Sequence, residues 1–117
     1  MKRRALRIVM LWVAAASGAG AVAAPEEEQP DPYAAGRAVY TKWCAPCHAP
    51  GVTHPGTHAL ATKYQGVKSG VLLEWTDLQP ATVKSVVRHG VSVMPQFRKT
   101  EISDADLDAL AKFLSHK

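Results

Sequence analysis

The run Cys44-Ala45-Pro46-Cys47-His48 restricts this chain most, because it holds both cysteines of the 117 residues and sets an imidazole directly after the second. Two cysteines three positions apart cannot staple a small fold together, so the run reads as chemistry rather than as a disulfide framework. Three chemistries use such a spacing. A thioredoxin-like dithiol requires a neighbouring βαβ pattern, and no stretch of this chain sustains a period-two alternation bounded by turn residues. A zinc site requires a fourth ligand, which would have to be His54 or His58, at a spacing foreign to the common zinc motifs. The third is a covalently bound c-type haem, in which the two thiols form thioethers with porphyrin vinyl groups and the adjacent imidazole binds iron. Two intervening residues let both sulfurs reach neighbouring edges of one macrocycle, and the following residue puts the imidazole under the metal. The residues present favour this third reading.

The N-terminus gives the setting. Residues 1–24 comprise a basic start, an apolar run from Ile8 to Ala16 and a small-residue stretch that includes Ala21-Val22-Ala23, the layout of a secretory signal peptide cleaved after Ala23 or Ala24. The rival is an uncleaved membrane anchor, since Ile8 to Ala24 is at the lower edge of a bilayer-spanning length; its Ala/Gly-rich second half argues for cleavage. Residues 25–31, with Glu26, Glu27 and Glu28, form a polar linker, and the domain proper is expected over 32–117. Export places it in the periplasm, with no stable membrane insertion once the signal is removed.

The net charge of +4 also belongs to that leader: Lys2, Arg3, Arg4 and Arg7 are four of the 14 basic residues, leaving ten against ten acidic ones beyond them. A nucleic-acid binder needs a net basic domain, so that class is excluded. Within 32–100, eight basic side chains face two acidic ones, Glu74 and Asp77, while the remaining acids lie near the ends. This separation would steer an acidic partner, unless the charges are ordinary solvated ones.

Helical signals dominate the rest. Asp31-Pro32 reads as an N-cap and first-turn proline for a helix reaching about Trp43, whose face carries Tyr33, Gly36, Tyr40 and Trp43. A shorter helix is expected around Thr57 to Tyr64. Pro80 to His89 forms another, with Val83, Val86 and Val87 on one face and Gly90 placed to end it in the left-handed conformation. Ser103 caps a last helix with Asp106 at its third position, Ile102 and Leu107 as a staple, and Leu107, Leu110, Ala111 and Leu114 as the apolar face. The fold class is therefore all-α, three to four helices, at a size where a core of side chains alone is barely sufficient. A buried haem would fill it.

Iron needs a sixth ligand or an open position. Met94, in Gly90-Val-Ser-Val-Met94-Pro95, is the one methionine after the leader, and Pro95 biases it toward extended geometry between two helices. Methionines also fill cores, but beside the cysteine motif a thioether ligand is the favoured reading. His54 and His58 are too near His48 in sequence to reach the opposite haem face, His89 sits at a helix end, and His116 lies in a tail expected to fray. All four are read as structural or solvent-facing.

These residues resemble class I c-type cytochromes over about Tyr33 to Ser115. The resemblance implies the cytochrome c fold around one haem c and one-electron transfer rather than catalysis. It also implies that Gly36 and Tyr40 cross against Leu110 and Phe113, and that the Pro55 carbonyl accepts the other ring N–H of the haem histidine as a second-shell contact; the usual Gly-Pro pair is here His54-Pro55. More narrowly, the short His48–Pro55 loop and the segment Val87 to Pro95 are similar to the cytochrome subunits of flavocytochromes that hydroxylate p-alkylphenols. That likeness implies redox-protein partners, among them a flavoprotein subunit, with a dehydrogenase or flavoprotein hydroxylase as electron donor. A haem-based sensor or catalytic cytochrome, with a displaceable Met94, is the alternative.

Overall fold

The computed structural model describes residues 29–116; the expected signal peptide and most of the linker lie outside them. Helix α1 (Ala34–Val39) passes without a break into a π-helical stretch, Tyr40–Cys44, and then α2 (Ala45–His48). The helical rod thus runs five residues beyond Trp43 and carries the cysteine motif instead of ending before it. Pro46 explains the change of register: it cannot donate to the carbonyl four residues back, and its ring needs room there. The widened turn supplies that room, with the Ala45 N–H donating to the Tyr40 carbonyl. Asp31 is not the cap itself. Its carboxylate accepts from the Tyr33 N–H at 2.9 Å and from Arg37 at 2.9 Å, so the chain makes one turn before the helix begins at Ala34.

Helix α3 (Pro55–Tyr64) starts two residues earlier than expected, with Pro55 at the first helical position, where its fixed φ and missing donor cost nothing. A short 3₁₀ turn (Leu72–Glu74) leads to α4 (Pro80–His89), which buries Val83 and Val87. Gly90 ends α4 with φ +72° and ψ 174°, a positive φ with extended ψ rather than the left-handed helical conformation. Helix α5 (Asp104–Ser115) is capped as expected: Ser103 Oγ accepts from the Asp106 N–H at 3.1 Å. Among the described residues, extended pairing is limited to one bridge between Val91 and Met94.

α1 crosses α5 at Gly36, where an added Cβ would lie 2.6 Å from the Phe113 Cβ and collide with the Ala109 backbone. The glycine lets two backbones approach closely, and the Tyr40 and Phe113 rings meet one turn along with centroids 5.9 Å apart. α4 lies on the same helix, its valines joining Ile102, Leu107, Leu110 and Leu114 in one core. No helix among the described residues is long and apolar enough to cross a membrane.

Candidate functional site

Cys44, Cys47 and His48 stand at positions i, i+3 and i+4 of one helical rod, and residues so spaced share a face. Cys44 is buried and Cys47 exposed, and neither is in a disulfide. Burial, and secondarily the neighbouring Cys47, pushes the Cys44 thiol up to about 11. The His48 imidazole is half-buried, and burial lowers its pKa, so at neutral pH the ring is uncharged and carries a lone pair for a metal. Its Nδ1 is buried with no hydrogen-bond partner among the described residues.

The backbone around this ring is tied from three sides. The Tyr40 hydroxyl donates to the His48 carbonyl at 2.9 Å, Thr57 Oγ1 donates to the Ala49 carbonyl at 2.8 Å, and His54 Nδ1 meets the Pro46 carbonyl at 3.1 Å. Carbonyls at a helix end lack intrahelical partners, and these side chains supply them. Burial, with a smaller contribution from Cys44, holds the Tyr40 phenol up to about 12, so it remains a donor throughout the physiological range.

Pro55 opens α3, and the His48 Nδ1 has no hydrogen-bond partner among the described residues. The carbonyl of a first-turn residue points down the helix axis into the intrahelical ladder, and the His48 ring edge meets Gly56: a Cβ built there would lie 2.8 Å from Cε1 and 2.9 Å from Nδ1. Sequence reasoning missed Gly56 as well as the Tyr40 and Thr57 hydroxyls. The glycine immediately after a helix-opening proline was the available signal.

Met94 is half-buried and packs against the core, as do Trp43 and Phe97. Its loop is tightly built. Val91 and Met94 exchange backbone hydrogen bonds at 3.1 and 2.9 Å around Ser92, which adopts φ +53°. The Phe97 N–H donates to Val87 at 2.8 Å and Arg88 donates to the Phe97 carbonyl at 3.0 Å, fixing the segment to α4. The Trp43 and Phe97 rings meet edge to face at 5.9 Å, so the motif helix and the methionine segment adjoin.

The other histidines stay apart from any metal-binding cluster. His58 and His89 are exposed, the latter's Nδ1 2.8 Å from the Ser85 carbonyl. His116 stacks on Tyr33 with centroids 3.9 Å apart. No group of three His, Cys, Asp or Glu among the described residues is placed to share a metal ion, which leaves the zinc reading without a ligand set. Among the described residues the dithiol reading finds no βαβ unit. A haem suits the donors present: two thiols and an uncharged, half-buried imidazole on one helix face, with a thioether on the adjoining segment.

Residues 31–114 match a family model described as cytochrome c oxidase, cbb3-type, subunit III. The chain is also 32% identical over 94 residues to the cytochrome c subunit of 4-cresol dehydrogenase (hydroxylating) from Pseudomonas putida, a match covering 80% of this chain and 70% of that one. No solved structure matches.

Proposed function

Since the chain belongs to the c-type cytochrome family, whose members carry electrons on a haem, we propose that Cys44 and Cys47 hold one haem covalently and that His48 and Met94 are its axial ligands. The observation that carries this reading is the helix face that bears both thiols and His48, a half-buried imidazole whose Nδ1 has no hydrogen-bond partner among the described residues. When bound, the haem supplies a one-electron Fe(III)/Fe(II) couple. The protein's part is to hold and to insulate. His48 comes from a helix strapped at its carbonyls and Met94 from a loop pinned to α4, so neither donor has slack to rearrange. Thioether ligation raises the potential relative to a second imidazole.

The chain is an electron-transfer protein rather than an enzyme in its own right. Its similarity to the cytochrome subunit of a dehydrogenase supports a flavoprotein dehydrogenase or hydroxylase as electron donor. The leader pattern of residues 1–24 supports export and a periplasmic location for the domain over 32–117. The test is an absorption spectrum of protein matured in a host with haem-attachment machinery, in which a methionine–iron charge-transfer band is expected. Met94→Ala should abolish that band, lower the potential and admit carbon monoxide to the reduced protein. An unchanged potential overturns the ligand assignment, and rapid carbon monoxide binding to the unaltered protein would favour the sensor instead.

A further inference from the structure

Gly56 lies in the first turn of α3 and is not one of the positive-φ glycines among the described residues, which are Gly51, Gly66 and Gly90. Its backbone is therefore one that any residue adopts, and glycine within a helix is unfavourable by about 0.5–1 kcal/mol relative to alanine. What requires glycine is the neighbour. An added Cβ would stand 2.7 Å from the Cys47 carbonyl oxygen, 2.8 Å from His48 Cε1 and 2.9 Å from His48 Nδ1, so the edge of the imidazole occupies the volume a side chain would take.

The start of α3 is fixed relative to α2 by the residue that precedes its proline. His54, in extended conformation at the N-cap, sets Nδ1 3.1 Å from the Pro46 carbonyl. A carbonyl only accepts, which makes Nδ1 the protonated nitrogen in this contact. The bond partners a carbonyl in the last turn of α2 and keeps the first turn of α3 over the His48 ring.

Resting on the reading of His48 as an axial ligand, we infer that Gly56 and His54 are positioning residues for its ring: Gly56 leaves the volume that the Nδ1–Cε1 edge fills, and His54 ties the start of α3 to the motif helix. Ring orientation is read directly by the hyperfine-shifted NMR signals of selectively labelled His48 in the ferric holoprotein, alongside the reduction potential. Gly56→Ala and His54→Leu are expected to displace those signals and shift the potential. His54→Asn, which keeps an N–H for the Pro46 carbonyl, should stay near the unaltered protein. Gly66→Ala is the control: its φ of +83° makes alanine strained while no atom lies within 4 Å of the new Cβ, so it should lower thermal stability and leave the ring signals in place. The inference is overturned if Gly56→Ala and His54→Leu move the His48 signals no more than Gly66→Ala does. Should Gly56→Ala fail to mature, the contrast between His54→Leu and His54→Asn decides it. Absence of shifted His48 signals from the unaltered holoprotein would overturn the axial assignment and this inference together, an outcome distinct from signals that are present but stay put.

Discussion

At Gly36 a single hydrogen atom decides how closely two helices approach, because α5 presents its backbone at Ala109 and the Phe113 Cβ to that point. Gly36→Ala is expected to destabilise the folded protein by about 1–3 kcal/mol, the usual cost of forcing a methyl group into a filled contact, measurable by denaturant titration of the holoprotein. Tyr40 makes a second, pH-dependent prediction. Its pKa in the fold is about 12 against an ordinary 10, with burial the main cause. A raised pKa stabilises fully below the unfolded value and is lost as pH climbs through the folded one. Tyr40→Phe should therefore cost about 1 kcal/mol at neutral pH through the lost bond to the His48 carbonyl. That deficit should narrow as pH rises from the unfolded pKa toward the folded one, because the native tyrosine progressively loses its advantage while phenylalanine has none to lose; a deficit constant with pH would show the phenol is not the titrating group.

Among the elements, α5 and α4 were readable because each declares a start and a face, Ser103 with its staple and Pro80 with valines at helical spacing, and α4 also an end at Gly90. The cap is the part most open to measurement. Ser103→Ala removes the acceptor of the Asp106 N–H and is expected to lower stability by about 1 kcal/mol; no change in the thermal midpoint would mean that Asp104 and Asp106 satisfy the helix end unaided. The first rod was harder to read. Its π-helical turn is a matter of backbone hydrogen-bond register, which the side-chain pattern does not announce, so the sequence places the helix end at Trp43, before the motif. Pro55 reads in sequence as a loop proline, although helices often open on one. The spacing of Cys44, Cys47 and His48 was legible as chemistry, but their common helix face was not, because it depends on the rod continuing past Trp43. The seat for the His48 ring at Gly56 depends on two helices meeting through a loop, and no local pattern encodes such an approach.

Over the whole molecule, charges that are segregated along the chain are rejoined by the fold. Asp31 pairs with Arg37 at 2.9 Å, Asp108 with Lys84 at 2.6 Å, Glu101 with Arg98 at 3.5 Å, and Asp104 with both Lys99 at 2.7 Å and Arg88 at 2.9 Å, while Lys68 pairs with Asp77. Six of the eight basic side chains between residues 32 and 100 thus pair with five carboxylates, four of those acids brought in from the acidic ends. The other two, Lys42 and Lys63, lie over the Trp43 and Tyr64 rings at 4.9 and 5.4 Å. Exposed pairs of this kind add little to stability, but they cancel the far field: an ion pair a few ångströms wide is nearly neutral when seen from a Debye length, about 10 Å at 0.1 M salt. The steering that the linear charge pattern suggested should therefore be weak. Stopped-flow oxidation of the reduced protein by ferricyanide, an anion, is expected to slow by less than about tenfold between roughly 0.01 M and 0.15 M ionic strength, below the range of strongly steered encounters. Asp104→Asn supplies the converse. Lys99, then Arg88, holds that carboxylate below its ordinary pKa, so it stays ionised at neutral pH and offsets one of the two positive charges it pairs with. Removing its charge releases them, and the salt dependence toward ferricyanide should steepen; an equally shallow slope in the variant would mean that the two cations lie too far from the electron-transfer face to act on the encounter.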